Sequence, residues 1–233
     1  MKRHPLSFCT AKKVKMTRTY RIIGDTHGKL NDYINLCIDA EKLGIHTIQL
    51  GDLAFNYDPV KKYLNPAANK FIKGNHDNHG LPFDRNPHHW LGAYGEMSFD
   101  HYAMPDGFFI GGAFSIDWMR RTPGLDYFAN EEISQEQADK ALALYKEIKP
   151  RVMFSHECPR QIARMVGSDY VLQMFGYDPD TFTTSTSELL QDCFEYHQPE
   201  QWYFGHFHKS WKKTVNNCNF TCLAELEYID VEL

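Results

Sequence analysis

Residues 19–52 constrain the fold of this chain more than any other stretch. Residues 19–24 (Thr-Tyr-Arg-Ile-Ile-Gly) are an apolar run that reads as a buried strand. Over 30–43, Leu30, Ile34, Ile38 and Leu43, with Tyr33, Leu36 and Cys37 between them, recur at helical spacing, and Gly44 fits a C-cap. Residues 46–50 (His-Thr-Ile-Gln-Leu) predict a second strand. Strand, helix and strand in so short a span make a βαβ unit, which implies parallel strands. Functional groups then belong beyond the carboxyl ends of those strands. Both strands end there in polar clusters, Gly24-Asp25-Thr26-His27-Gly28 and Gly51-Asp52. Residues i and i+2 of an extended chain share a side, so Asp25 and His27 can face one point. A hard oxygen and an imidazole nitrogen aimed at one point suit a divalent transition metal, although a polar turn after a strand would look the same.

The bulk composition excludes several classes. The chain has 233 residues, 42% hydrophobic and 24% charged, within the range of a globular α/β protein with a real core. A net charge of −5 argues against a broad basic footprint for duplex nucleic acid. It leaves phosphate-bearing substrates open, because bound metal ions supply local positive charge. No apolar run reaches the roughly 18 residues of a membrane-spanning helix. Cys9, Cys37, Cys158, Cys193, Cys218 and Cys222 are scattered with no C-x-x-C pair, which predicts free thiols and a cytoplasmic location. Residues 1–17 are basic, with an apolar centre too short and broken for a signal peptide. They read as a disordered extension, or as an upstream start ahead of Met16, and residues 18–233 read as a single domain.

Further strands carry the pattern on. Residues 54–68 read as a loop with at most a short helix, and residues 69–73 form a third strand running into Gly74-Asn75-His76-Asp77. The segment 78–95 reads as loop, with His79, His88 and His89 as solvated or hydrogen-bonded loop residues. A hairpin is expected from 97–103 and 107–111 around Pro105-Asp106-Gly107. Gly111-Gly112 marks a close approach to the site or a tight turn. Residues 118–130 read as a long surface loop. Residues 134–148 are the clearest helix, with Ser134 and Gln137 as a capping box and Ala138, Ala141, Leu142, Tyr145 and Ile148 facing inward. Strands at 151–154 and 201–204 end in Ser155-His156-Glu157 and Gly205-His206-Phe207-His208. Between them lie a short helix at 160–166, an irregular stretch at 168–184 and a helix at 185–197. The tail from 210 predicts an antiparallel finish around Asn216-Asn217.

The informative fact is joint. Successive strand ends carry Asp25/His27, Asp52, Asn75/His76, His156 and His206/His208, an alphabet of oxygen and imidazole without thiolate. In this order, Gly-Asp-Thr-His-Gly, Gly-Asp, Gly-Asn-His-Asp, Ser-His-Glu and Gly-His-Phe-His resemble the calcineurin-like metallophosphoesterase superfamily over nearly all of residues 20–210. The blocks are specific for the superfamily and not for a substrate. The resemblance implies an α/β fold, an αββα sandwich with central mixed β-sheets flanked by helices. It implies two divalent metal ions, with manganese the first choice and iron, zinc, nickel or cobalt compatible. Asp25, His27 and His208 would hold one ion, Asn75, His156 and His206 the other, and Asp52 would bridge both. The implied activity is hydrolysis of phosphate mono- or diesters by attack of a metal-bridging hydroxide, with a small-molecule or nucleotide phosphate ester as substrate and no membrane partner. His76 is implied to contact the phosphoryl oxygens and protonate the leaving group, the alternative being a histidine that only orients the site.

The sequence departs from the Ser/Thr protein phosphatase branch, which carries Asp-Arg-Gly after the second block and Gly-Asn-His-Glu as the third. Here Gly51-Asp52 is followed by Leu53-Ala54-Phe55-Asn56, and the third block ends in Asp77. The aspartate and arginine expected near the catalytic histidine are missing from their places. Arg120 or Arg121 offers a replacement phosphate clamp, against the commoner role of a loop arginine in solvent. A nuclease or nucleotide phosphodiesterase is the alternative enzyme, with Trp90, Trp118, Tyr127 and Phe128 either stacking on a base or filling core. A non-catalytic scaffold with the same fold is the alternative outside enzymes.

Overall fold

The computed structural model describes residues 18–99 and 104–233. The expected extension at 1–17 lies outside these residues, as do residues 100–103 of the expected first hairpin arm. The first elements are β1 (Thr19–Ile23), α1 (Leu30–Lys42), β2 (His46–Gln49), α2 (Asp58–Tyr63) and β3 (Asn69–Phe71). β4 (Tyr94–Met97), β5 (Gly107–Ile110), α3 (Gln135–Ile148), β6 (Val152–Ser155), α4 (Arg160–Val166) and α5 (Asp169–Met174) follow. The chain then forms α6 (Ser185–Tyr196), β7 (Gln201–Phe204), β8 (Trp211–Val215), β9 (Cys218–Cys222) and β10 (Tyr228–Glu232).

β1, β2 and β3 pair in parallel, as the βαβ reading requires, and β10 adds antiparallel to β1, giving the order β10-β1-β2-β3. The second sheet has the order β4-β5-β6-β7-β9-β8, with β5, β6, β7 and β9 parallel and both edges antiparallel. Alternation along the strands builds four layers. Ile22, Ile48, Phe109, Phe154 and Tyr203 point into the seam between the sheets. Their neighbours Phe108, Met153, Trp202 and Phe204 point outward beneath α3, α4 and α6. Ile23 turns from the seam to meet Tyr33, Ile34 and Cys37 of α1 and Val60 of α2. Period-two side chains can serve two cores at once only when both faces of a sheet are covered.

α3 begins at the predicted capping box, with Ser134 Oγ accepting from the Gln137 amide. Asn216 and Asn217 turn the β8–β9 hairpin at φ 48° and 66°, a left-handed pair that asparagine tolerates. The tail then leaves that sheet, and β10 pairs on the other one. The first hairpin arm is β4, ahead of the expected 97–103, because Phe99 turns away to pack edge-on against Tyr20 and Phe154 in the seam. The stretch 168–184, expected to be irregular, contains α5, whose six residues are too few to show helical periodicity. Among the described residues, no helix is long and apolar enough to cross a membrane. The cysteines among them are free and buried.

Candidate metal centre

The carboxyl ends of β1, β2, β3, β6 and β7 converge, and the structure brings all the predicted ligand residues together there. Backbone bonds tie the loops to one another. Thr26 and His27 amides donate to Asp52 O at 3.0 and 2.8 Å, and the Leu226 amide donates to Asp25 O at 2.8 Å. Asp25, His27, Asp52 and His208 each offer a ligand atom, and these atoms all lie within 4.8 Å of one another. Donors held about 2.1 Å from one ion lie at most about 4.2 Å apart, so small side-chain adjustments suffice. His27 Nε2 stands 2.7 Å from His208 Nε2, and Asp25 Oδ2 is 3.2 Å from His208 and 3.7 Å from His27.

A second group adjoins the first. His156 Nδ1 lies 2.8 Å from Leu50 O, and a carbonyl only accepts, so the proton is on Nδ1 and Nε2 faces the site. Asn75 Nδ2 donates to Ser115 Oγ at 3.1 Å, which turns Oδ1 inward. That oxygen and Asp52 Oδ1 stand 3.2 and 3.3 Å from His156 Nε2. His206 is held by its backbone amide, which reaches both oxygens of Asp25 at 3.1 Å. Its Nε2 is 3.6 Å from Glu157 Oε2.

The donor set fits a divalent metal, and two observations carry that test. Asp52 Oδ2 is buried without a hydrogen-bond partner among the described residues, although an ionised carboxylate has no proton of its own to share. Glycine also clears the space. A Cβ at Gly74 would meet Asp52 Oδ1 and His156 Nε2, and one at Gly205 would meet Asp25 Oδ1. The charge balance agrees. Burial opposes ionisation of Asp52, but His156 and the His76 amide more than offset it and hold the carboxyl below the usual range. Burial alone would lower His156, but Asp52 and Asp25 overcome it and raise the ring to about 10. Two carboxylates wholly out of solvent draw positive charge to this point. The backbone is strained in the same place. His27, Asp52, His206 and His208 have φ of 47°, 57°, 67° and 52°, a region costly for side chains beyond glycine and persistent only where the surroundings impose it.

His76 sits beside this centre, its ring centroid 4.9 Å from that of His27 and its amide donating to Asp52 Oδ1 at 2.7 Å. Burial lowers its pKa, and Arg121 adds to the effect. Arg121 is the correction to the sequence reading. Its side chain is only 8% exposed, and its Nη2 lies 2.6 Å from His76 Nε2 and 2.7 Å from Asp117 Oδ1. Arg120 instead lies over the Phe175 ring at 4.8 Å, tying the 118–121 turn to α5. Arg121 thus lines the site, while most of 118–130 is exposed, as a surface loop would be. Phe128 is buried and Trp90 lies under Lys73, so neither is free to stack on a base, whereas Trp118 is 40% exposed. His79 and His89 bond Gly74 O and Leu64 O as loop histidines. Gly111 and Gly112 allow close approach to the backbone of Lys73 and Glu131, one layer behind the site.

Residues given no ligand or catalytic role by the motifs support the centre. Asp77 accepts from Leu53 N, Ala54 N, Gly74 N and Tyr57 Oη, fastening the loop after β2 to the loop after β3. Glu131 Oε1 accepts from the Ser115 amide at 2.7 Å, behind the hydroxyl that orients Asn75. Asp77 was signalled by its place in the third block, while Glu131 lies in an unremarkable loop and gives no local signal.

The strand order and the converging strand ends define an α/β sandwich with the calcineurin-like metallophosphoesterase fold. The structure is similar to TT1561 of Thermus thermophilus, with TM-score 0.53, 11% identity and 91% of each chain covered. It is also similar to a putative 5'-nucleotidase from Staphylococcus aureus, with TM-score 0.52 and 15% identity. That match covers 90% of this chain and 49% of the other, so the chain spans about half the length of that protein. At these identities the likeness is one of fold. No family model and no curated protein sequence matches the chain.

Proposed function

We propose that this protein is a divalent-metal-dependent hydrolase of phosphate esters, monoester or diester, built on a dinuclear centre within one domain from residue 18 onward. Asp25, His27 and His208 would hold one ion and Asn75, His156 and His206 the other, with Asp52 contributing to both. The observation that carries this reading is the placement of Asp52. Its Oδ1 lies 3.3 Å from His156 Nε2, and its Oδ2 lies 3.7 Å from His27 Nε2. One carboxylate thus offers an oxygen to each half of the site. Two divalent ions bound there supply Lewis-acid charge and an activated water, with manganese the first candidate among metals that accept mixed nitrogen and oxygen donors.

The chain's own groups do the rest. Asn75 contributes a neutral oxygen, which limits the negative charge facing an anionic ester. Arg121 donates to His76 Nε2 at the mouth of the centre. An arriving phosphoryl group competes with Asp117 for the guanidinium and receives its planar fork. As the oxygen of water bonds to phosphorus and gives up a proton, the ester P–O bond breaks and the leaving oxygen takes up a proton, a transfer for which His76 is the proposed carrier. The products are an alcohol and phosphate, or a phosphomonoester from a diester.

The test uses metal-free protein reloaded with manganese, iron, zinc, nickel or cobalt and assayed on p-nitrophenyl phosphate and bis-p-nitrophenyl phosphate, with bound metal counted by mass spectrometry. The expected result is about two ions per chain and metal-dependent hydrolysis. Asp52→Asn is expected to lose metal and activity together. His76→Ala is expected to keep its metal and lose turnover by roughly 10²–10⁴. Wild-type protein that binds the metals but hydrolyses neither ester would favour the scaffold reading.

A further inference from the structure

The metal centre opens at one end of a cavity of about 420 Å³, within the range of small-molecule sites. At the near end lie Asp52, Asn75, His76, Arg121, His206 and His208. Beyond them the cavity runs between the Phe114–Asp117 turn on one side and α4, α5 and the 179–184 segment on the other. That far part is walled mainly by Phe114, Leu172, Phe175, Phe182 and Phe207. The aromatic rings brace one another. Phe114 lies 6.1 and 6.2 Å from Tyr177 and Phe182, and these two are 4.7 Å apart.

Three of the cations that border the cavity also tie segments of its wall together. Arg160 pairs with Glu188 at 3.0 Å, Arg164 donates to Asp180 O at 2.8 Å, and Lys209 donates to Val166 O at 2.7 Å. These cations hold the wall in place. A smaller hollow continues past Phe175, lined by Ile116, Met119 and Met174, and both methionines are more than half exposed. Exposed apolar side chains gathered at the mouth of an apolar cavity mark a binding surface.

We propose that the substrate is a phosphate ester with a bulky apolar alcohol, alkyl or aryl, whose phosphoryl group sits at the metal centre and whose apolar body fills the space between Phe114 and Phe175. This deepens the hydrolase reading and rests on it. The reaction is the one already written: the ester gains water, the P–O bond breaks, and the apolar alcohol and phosphate leave with no further reactant.

The test is a homologous series of methyl, butyl, hexyl and octyl phosphate, assayed with the manganese-loaded protein. The leaving oxygen is an alkoxide throughout, so only the apolar body changes. The expected kcat/KM rises by about fourfold per methylene until the cavity is full. The non-hydrolysable octylphosphonate is expected to bind more tightly than methylphosphonate in calorimetry, with a negative heat-capacity change. Phe175→Ala and Leu172→Ala are expected to reduce the octyl-to-methyl ratio by on the order of tenfold. Phenylphosphonate and octylphosphonate, compared by calorimetry on the same protein, assign the body to the aryl or alkyl class. A flat chain-length series with equal phosphonate affinities, in a protein that hydrolyses p-nitrophenyl phosphate, would overturn this inference alone. Inactivity on every ester, p-nitrophenyl phosphate included, would overturn the hydrolase reading beneath it.

Discussion

Gly74 has no room for a methyl group. A Cβ there would overlap Asp52 Oδ1 and His156 Nε2, the two atoms that face each other across the centre. Gly74→Ala should therefore fold and bind divalent metal roughly tenfold to a hundredfold more weakly, as read by calorimetry with manganese. His79 makes a different claim. Its Nε2–H donates to Gly74 O at 2.7 Å, and burial pushes the ring down to about 4. The folded state therefore holds the neutral ring. That contribution is fully present above the ordinary histidine pKa of about 6.5 and is lost as pH falls from there towards 4. Denaturant titrations at pH 5 and 7.5 should show an acid loss in the wild type that is smaller in His79→Gln. Arg121 shows the reach of sequence at this scale. Its type suited a phosphate clamp, but only the fold of the 118–130 segment sets its guanidinium against His76.

Between elements, the strand-end loops behave as one unit because Asp77 fastens two of them. Its carboxylate accepts from Leu53 N at 3.1 Å, Ala54 N at 3.0 Å, Gly74 N at 2.8 Å and Tyr57 Oη at 3.1 Å. Asp77→Ala leaves these buried donors unpaired and should cost about 3 kcal/mol or more of unfolding free energy. It should weaken metal binding as well, since Asp52 and Asn75 stand on the loops it joins. Asp77→Asn, which keeps one accepting oxygen, should lose less in the same denaturant titration. The helices were legible where they were long: α3 shows its capping box and α1 its periodicity. α5 was not, because six residues give too few turns for a pattern and its apolar side chains face a cavity instead of the core.

At the scale of the whole molecule, the centre spans both sheets. β1, β2 and β3 present Asp25, His27, Asp52 and Asn75, and β6 and β7 present His156, His206 and His208. Carboxylates and imidazoles from two sheets are brought together above the apolar seam of Ile22, Ile48, Phe154 and Tyr203. An ion that binds only the assembled site must stabilise the fold. Manganese at a hundred times its dissociation constant should add about 2.7 kcal/mol to the unfolding free energy and raise Tm. Asp52→Asn should lose most of that rise while unfolding cooperatively without metal. An equal rise in both proteins would place the ion elsewhere.

The order of strand and helix, the parallel pairing and the ligand alphabet at each strand end were determined by local sequence, because period, punctuation and residue type act over a few neighbours. The partition of the strands between two sheets was not, since nothing in the β8–β9 hairpin announces that β10 will cross to pair with β1. Nor were the roles of Glu131 and Arg121, which depend on loops packing across distances that no spacing encodes. The cavity beside the metal centre belongs to the same class. Its wall joins residues 114–121 to residues 160–184, and only the packing of α4 and α5 over the second sheet decides that their apolar side chains face one another across a space open to the metal centre.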